Sequence, residues 1–347
     1  MGQRRKRRKG GAMDKLITRD TWQTLKSRYS IYMVVIVMII VCNLLNENFF
    51  STRNIANISA QISVTTILAF GETLLIIAGL LDLSCGSVLA LAGVLSVYVY
   101  KETGSMTVSF VAGIGFGVLC NYGNGILVRY FRIPAFIATL AMMTMARGCA
   151  LLFTRGQNIY QIGDYVWFGQ GRIGFVPIPV IFMVIVGILT WYILGHTSFG
   201  RSLYAVGGNE EAARASGINI GRVKIGAYLI NGAFVGLAGI LLMSRTNVGA
   251  PNSGQGYEFE ALTAAIIGGT SFSGGLGTAG GTLAGAFIVG FLNNIMNLTG
   301  VDSYLQQVIK GGIIALAVGY DMWAKLNRNK KTLGAAKTAG ETKEEKP

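Results

Sequence analysis

Charged residues are scarce in this sequence. Only 13% of its 347 residues are Asp, Glu, Lys or Arg, while 52% are hydrophobic. Soluble domains contain about 25% charged residues, and a soluble chain this apolar could not cover its surface with polar groups. The composition therefore excludes an ordinary soluble globular protein and indicates that lipid is the solvent.

Side chains of common catalytic and metal sites are also few. There is one histidine, His196, and the four cysteines lie in or beside apolar runs with no metal-site or CxxC spacing. The patterns HExxH, GxSxG and GxxxxGK[ST] do not occur. We therefore expect no enzymatic activity, metal or cofactor in this chain. If ATP drives it, another subunit must bind the ATP and its Mg²⁺.

Long apolar segments fill most of the remaining sequence. A helix needs roughly 20 apolar residues to cross a bilayer, and we predict an all-α polytopic membrane protein with about ten transmembrane helices, some broken or re-entrant. The predicted spans are Ile31–Leu45, Ile55–Leu81, Gly86–Tyr100, Met106–Tyr130, Pro134–Phe153, Pro177–Leu194, Lys224–Met243, Phe259–Gly269, Thr278–Leu298 and Tyr304–Trp323.

Two of these spans have alternatives. The second contains Gln61, Gly71 and Glu72 and is expected to be kinked or broken. The eighth, Phe259–Gly269, is short for a full crossing. It could form one broken or re-entrant element together with the ninth.

Positive charge is concentrated outside the apolar segments. The net charge is +14, and basic residues cluster in an N-tail, 1–29, and a C-tail, 325–347. An even number of spans puts both tails on one side, and loops rich in Lys and Arg face the cytoplasm. We predict cytoplasmic termini flanking a single transmembrane domain, 30–324. Basic flanks also attract anionic lipid headgroups, and this interpretation is favoured over a nucleic-acid-binding tail.

The longest polar segment between spans, 196–223, lies on the predicted cytoplasmic side. It contains the pattern EAAxxxG, from Glu211 to Gly217. A short helix with charges on its outer face could dock in a cleft of another protein and pass motion to the two spans it joins. The alternative is a solvated loop helix, because this pattern arises easily by chance.

A literal GxGxxG occurs at Gly275–Gly280, with Asp302 about twenty residues beyond it. A dinucleotide site would need a strand before this pattern and a βαβ unit around it. The neighbouring segments are membrane spans instead. We therefore attribute the glycines to packing and a sharp turn between the eighth and ninth spans.

Polar side chains at membrane depth are the better functional pointers, because each is costly unless it is paired or hydrated. Glu72 and Arg147 could pair inside the bundle, and Lys310 lies in the last span. Such residues either have structural partners or line a pathway or gate. The sequence shows no cluster of intramembrane carboxylates, and this counts against a proton-coupled carrier. The pathway or gate candidates are Glu72, Asp82, Ser84, Asn121, Asn124, Arg147, Asn231, Asn293 and Asn294.

Several segments, taken in order, resemble one family. Leu81–Ser87 resembles GIDLSVGS, Pro134–Leu140 matches PAFIATL, and Gly207–Asn219 resembles GGNEAA…SGIN. Three further segments resemble later signatures of the same family: Gly256–Glu258, Gly268–Ser271 and Gly290–Asn294. On these residues the chain resembles the permease subunit of bacterial ribose-type ABC importers, which serve ribose, galactose, xylose and related molecules. Leu80 and Cys85 depart from the family pattern, which has Gly and Val there.

The resemblance implies an assembly in the bacterial plasma (inner) membrane. Two permease copies, forming a homodimer or a pseudo-symmetric pair, would sit on an ATPase with two nucleotide-binding domains. An extracytoplasmic sugar-binding protein would dock on loops such as 154–176 and 246–256. The residues that would couple to the ATPase are Asn209, Glu210, Glu211, Ala212, Ala213 and Gly217.

Two other functions remain open at this stage. One is a secondary carrier or facilitator for a small polar solute, built as an inverted repeat with corresponding breaks near Asp82 and Ser271–Gly281. The other is a structural or receptor-like membrane protein. The sequence does not name the sugar.

Overall fold

The computed structural model describes residues 31–319 and 322–323. Both predicted tails, 1–29 and 325–347, lie outside the described residues. The described chain is mostly helical, as predicted. Its helices are α1 (Ile31–Leu45), α2 (Thr52–Ile77), α3 (Cys85–Thr103), α4 (Met106–Arg129), α5 (Ala135–Thr154), α6 (Trp167–Gln170), α7 (Ile178–His196), α8 (Ser198–Gly208), α9 (Glu210–Ala215), α10 (Ile220–Thr246), α11 (Tyr257–Ile267), α12 (Ala279–Leu298) and α13 (303–319).

Every predicted span contains a helix, but the helices differ in length. Seven of them are long and apolar enough to cross a membrane: α2, α3, α4, α5, α7, α10 and α12. The helix α11 has 11 residues and at 1.5 Å per residue is about 16 Å long, roughly half of a hydrocarbon core. The chain is therefore a polytopic helical membrane protein in which α11 cannot cross alone.

The helices α2 and α10 form the centre of the bundle. In the apolar part of α2, 94% of residues are buried, against 22% in α5. A helix that is apolar all round is buried by its neighbours, and α2 packs against α10, α11, α7 and α12. The exposed apolar face of α5 is left for lipid or another subunit.

Glycines bring α4 and α10 into close contact. A Cβ atom on Gly117 would lie 2.7 Å from the backbone nitrogen of Gly236 and would overlap the carbonyl oxygen of Gly232. Small residues at such positions let helix backbones approach in lipid. On the same helix, a Cβ on Gly115 would meet open space.

This pair of glycines gives a matched test of the packing. We expect Gly117→Ala to lower the stability of the protein by about 1–3 kcal/mol, because it overpacks the contact between α4 and α10. Gly115→Ala should leave stability unchanged or raise it slightly, because alanine favours helix. Thermal unfolding of the purified protein in detergent measures both. Equal melting temperatures for the two variants would contradict the close contact.

The second predicted span differs from expectation. α2 runs from Thr52 to Ile77 without interruption at Gly71 or Glu72, so the predicted break at these residues is wrong. The chain leaves the helix only at Ala78, inside the predicted span Ile55–Leu81. The absent side chain of Gly71 is replaced by Asn231 of α10, whose side-chain oxygen occupies the place of a Cβ. The glycine therefore serves packing, and the helix ends five residues after Glu72.

Two irregular segments enter the bundle instead. The first, 78–84, joins α2 to α3, and the second, 247–256, joins α10 to α11. The helices α11 and α12 are separate and are joined by 268–278, in which the GxGxxG pattern begins. The pattern continues into the first turn of α12. Gly274 and Gly275 have φ of +84° and +75° and lie against Gly207 and Gly208 of α8, and Gly277 packs against Ile77 and Thr270, so the predicted turn and packing role is confirmed.

Another structured connection lies between α5 and α7. It contains a 3-10 helix, Gly163–Val166, then α6, and an antiparallel pair of short strands, β1 (Arg172–Ile173) and β2 (Val176–Pro177). Phe175, at the tip of this hairpin, is 90% exposed. Val248 and Gly249, just after α10, lie on the same side, because Gly249 pairs with Ile159.

Candidate functional site

The irregular segment 247–256 touches the start of α3, two residues after the segment 78–84 ends. A Cβ on Gly86 would overlap the carbonyl oxygen of Gly254 and the carboxylate of Glu258. Gly254 itself has φ of +76°, a left-handed conformation that glycine adopts without strain. Non-helical backbone at membrane depth is tolerated where protein buries it or where it lines a cavity. This contact therefore makes the region a candidate functional site.

Asp82 is the centre of the polar side chains at this contact. It is fully buried, and its carboxylate accepts hydrogen bonds from the Ser84 backbone nitrogen at 2.7 Å, from the Ser84 hydroxyl and from Asn231 Nδ2 at 2.8 Å. Its own backbone N–H donates to Glu72 Oε2 at 3.2 Å. A buried carboxylate is stable only with such donors, so Asp82 ties the segment 78–84 to α2 and α10.

Asparagines extend this arrangement to α4. Asn231 Nδ2 also lies 3.1 Å from Asn121 Oδ1, and Asn124 Nδ2 donates to the Ser84 hydroxyl oxygen at 3.0 Å. The structure thus brings together six of the nine predicted pathway or gate candidates. We call them the Asp82 cluster: Glu72, Asp82, Ser84, Asn121, Asn124 and Asn231.

The Asp82 cluster has unused acceptors. Glu72 Oε1, Asn124 Oδ1 and Asn231 Oδ1 are buried and have no hydrogen-bond partner among the described residues. A buried polar atom without a partner costs about 1–3 kcal/mol. All three atoms accept, so hydroxyl or water donors would satisfy them.

Arg147 lies nearby on α5 but does not pair with Glu72. Its guanidinium donates to the backbone carbonyls of Pro251 and, at 2.9 Å, of Ser253. The pairing with Glu72 considered from the sequence is therefore wrong. Arg147 instead holds the segment 247–256 inside the bundle, because peptide carbonyls that have left a helix need donors at membrane depth.

Glu258 was missed as a member of this site. It is 7% exposed, accepts from the Gly256 backbone nitrogen at 3.1 Å and faces Gly86. The sequence places the eighth span from Phe259 onward, one residue too late to include this carboxylate. Starting the span at Tyr257 would have identified Glu258 as a charge at membrane depth.

Asn293 and Asn294 lie elsewhere. Asn293 Nδ2 donates to Glu260 Oε1 at 3.1 Å, and Lys310 Nζ of α13 lies 2.7 Å from the same oxygen. Asn294 exchanges side-chain hydrogen bonds with Asn54 at the start of α2. These two asparagines join α11, α12, α13 and α2 and do not belong to the Asp82 cluster.

The EAAxxxG segment forms α9, a six-residue helix. Its first turn is capped by Asn209, whose side chain accepts from the Ala212 backbone nitrogen at 2.9 Å. At its end Gly217 has φ of +83°, its N–H donates to Arg214, and the N–H of Ile218 donates to Ala213. This is a Schellman cap, which favours glycine at that position, so the spacing of the pattern is that of a short helix closed at both ends.

One face of α9 packs against the protein and the other is exposed. Ala213 is buried, whereas Glu211, Ala212 and Gly217 are exposed. The carboxylate of Glu210 lies 2.8 Å from Lys224 Nζ at the start of α10 and 3.3 Å from Arg214. The helix is thus held against α10 and presents a small outer face.

Two chains of contact lead from this segment to the Asp82 cluster. Lys224, bound to Glu210, lies seven residues before Asn231 on α10, which places both on one face of that helix. On the other side, a Cβ on Gly207 of α8 would overlap the carbonyl oxygen of Ile77, the last residue of α2. A shift of α8 and α9 would therefore act on both helices that hold Asp82.

Of the two loops expected to meet a binding protein, one is partly internal. The first of them, 154–176, exposes apolar side chains: Tyr160, Trp167, Ile173 and Phe175. In 247–256, however, Pro251 and Gly254 are buried, because this segment folds inward onto α3 and Arg147. Asn252 and Gln255 of the same segment remain exposed.

Known proteins are similar to this chain over most of its length. The profile of the branched-chain amino acid transport system / permease component family matches residues 54–318. The ribose import permease protein of Escherichia coli strain K12 is 43% identical over 291 residues, 82% of this chain and 91% of that protein. The ribose import permease protein of Bacillus subtilis strain 168 is 39% identical, over 82% and 89% of the two chains. The D-allose transport system permease protein of E. coli K12 is 34% identical, over 84% and 90%. No solved structure matches the chain.

Proposed function

Because this chain belongs to the branched-chain amino acid transport system / permease component family, we propose that it is the membrane-spanning permease subunit of an ATP-binding-cassette importer for ribose or a related monosaccharide. The observation that carries this conclusion is the 43% identity to a ribose import permease protein over 82% of the chain. The resemblance stated from the sequence motifs is thereby confirmed.

The Asp82 cluster supports a polyol as cargo. Ribose offers several hydroxyl donors and no charge, and the cluster has three buried acceptors without partners among the described residues. The side chains that donate to Asp82 are a hydroxyl and an amide, those of Ser84 and Asn231, and the Glu72 carboxylate lies beside them. Hydroxyl groups of the sugar, or water molecules that accompany it, would donate hydrogen bonds to these acceptors as the bundle switches between outward and inward access.

Alternating access would use the two contact chains described above. Movement of α8 and α9 would reach α10 through Lys224 and α2 through Ile77, and so change the distance between Asn231 and Asp82. The hydrogen bond between these side chains, 2.8 Å long, would hold the pathway closed in the present arrangement. Bundles with two discrete arrangements carry such coupling.

The energy source and the partners follow from the same proposal. ATP and Mg²⁺ would be bound by an ABC ATPase subunit with two nucleotide-binding domains that docks on α9. A second permease copy would complete the pathway, and an extracytoplasmic sugar-binding protein would dock on 154–176. We place the protein in the bacterial plasma (inner) membrane with both termini in the cytoplasm. The helices α1 and α13 would add two passes to the seven long helices, and α11 would complete the tenth pass together with the irregular segment 247–256 before it.

Reconstitution tests this function directly. Proteoliposomes that contain the permease, its ATPase and its binding protein should take up labelled ribose only when ATP is present on the side of the membrane that the ATPase faces. Excess D-allose and L-arabinose as competitors would rank the sugars. Uptake that continues without ATP but stops when an ion gradient is collapsed would show that the protein is a secondary carrier and not part of an ATP-driven importer.

A further inference from the structure

A cavity of about 620 Å³ lies beside the coupling segment. It is bounded by the turn between α4 and α5, by α9 and by the first turn of α10. Four basic side chains line it, Arg129, Arg132, Arg214 and Lys224, together with one acidic side chain, Glu210.

The positive charge in the cavity exceeds what Glu210 can balance. That carboxylate is already shared by Lys224 and Arg214 at 2.8 and 3.3 Å. Among the described residues, neither Arg129 nor Arg132 has an ion pair with a carboxylate. Arg129 packs against Gly221, where a Cβ would overlap its guanidinium, and lies 4.8 Å from the centre of the Tyr130 ring. The cavity therefore has an excess of three positive charges.

Part of the cavity wall is apolar. Leu80, Val128, Ile133 and Pro134 contribute to it. Just outside, the turn exposes Tyr130 and Phe131, which are 64% and 69% exposed. Aromatic side chains beside arginines are typical of the headgroup level of a bilayer, so the cavity lies where lipid headgroups can reach it.

We propose that this cavity binds the phosphate headgroup of an anionic phospholipid from the leaflet on the α9 side of the membrane. The arginines would pair with the phosphate, and the apolar wall would accommodate the glycerol and the upper acyl chain. An acidic side chain of a partner protein would satisfy the charge but would leave that wall uncovered. Because Gly79 and Leu80 also line the cavity, the bound lipid would contact the segment that holds Asp82 as well as α9.

Lipid binding to the purified full-length chain tests this proposal without any transport measurement. Native mass spectrometry would compare phosphatidylglycerol with phosphatidylcholine on wild type, on the cavity variant Arg129→Gln/Arg132→Gln, and on the control Arg201→Gln/Arg222→Gln. The control removes two exposed arginines from the same side of the protein, outside the cavity. A basic residue near an anionic headgroup contributes measurably to its binding. Because only the cavity arginines would contact the bound headgroup, we expect at least about tenfold weaker phosphatidylglycerol binding in the cavity variant than in the control.

Several outcomes would overturn the proposal. Equal losses in both double variants would show general surface attraction, and unchanged binding in the cavity variant would show that the lipid sits elsewhere. Complete displacement of phosphatidylglycerol by inorganic phosphate would identify a free-phosphate site. If the cavity variant instead bound its ATPase subunit more weakly in pure phosphatidylcholine discs, the surface would be a protein-docking site. None of these readouts depends on which sugar is transported.

Discussion

Asp82→Ala is expected to reduce ATP-dependent ribose uptake to background. The substitution leaves three buried donors, two from Ser84 and one from Asn231, without their acceptor. Each such loss costs about 1–3 kcal/mol, and together they release the segment 78–84 from α10. Initial uptake rates in proteoliposomes measure the effect, and thermal unfolding reports the accompanying loss of stability.

A second variant separates this effect from misfolding. Asp82→Asn keeps the shape of the side chain but puts an amide in place of one carboxylate oxygen. We expect it to remain folded and still to lose transport by more than about tenfold, because Asn231 must give up the bond to Asp82 or the bond to Asn121. Wild-type uptake by folded Asp82→Asn would refute the role of the Asp82 cluster.

Asp302→Ala is the matched control for these variants. Asp302 also accepts from backbone nitrogens, that of Tyr304 at 2.8 Å and that of Leu305 at 3.4 Å, but it is exposed at the start of α13. Removing such a cap costs about 1 kcal/mol. We expect its uptake to stay within about twofold of wild type, since α13 lies outside the cluster.

The second large effect concerns α9. We expect Glu211→Ala/Gly217→Ala to uncouple the importer, with sugar uptake falling at least about tenfold while the ATPase continues to hydrolyse ATP. Alanine in the left-handed conformation of Gly217 costs about 1–2 kcal/mol and disturbs the Schellman cap that joins α9 to α10. Loss of Glu211 removes an exposed charge from the outer face. Parallel assays of uptake and ATP hydrolysis on the full assembly measure the coupling ratio.

The chain contains a matched control on its opposite side. Glu102 is exposed at the end of α3, and Gly104 there has φ of +66° with open space around it. Glu102→Ala/Gly104→Ala should therefore lose a similar amount of stability without changing the ratio of uptake to hydrolysis. If both double variants or neither of them lower that ratio, α9 is not the coupling element.

Some features followed directly from local sequence. Scarce charge and long apolar segments predicted a polytopic helical membrane protein, and the structure has helices within every predicted span. The EAAxxxG pattern predicted a short helix, because its polar cap and its glycine act on backbone groups within a few residues. The free-energy cost of a polar side chain at membrane depth also identified Glu72, Asp82 and the asparagines individually.

Other features could not be obtained this way. A glycine inside α2 looked like a break, since nothing local shows that Asn231 fills the space beside Gly71. Arg147 looked like a partner for Glu72, because charge pairing is the simplest compensation at membrane depth. Its actual partners are peptide carbonyls of Pro251 and Ser253, in a segment whose Gly, Asn and Pro composition predicts an ordinary loop.

By itself, then, the sequence determined the solvent of this protein, the absence of recognisable catalytic patterns and the capped helix on which a partner can act. Those properties depend on composition and on neighbours a few residues apart. Tertiary structure alone decided that Asp82 binds Asn231, 149 positions away, and that the segment 247–256 touches the start of α3 at Gly254 and Gly86. The physical reason is that these contacts depend on how closely α2, α3, α4 and α10 pack, and glycine contacts between helices set that distance.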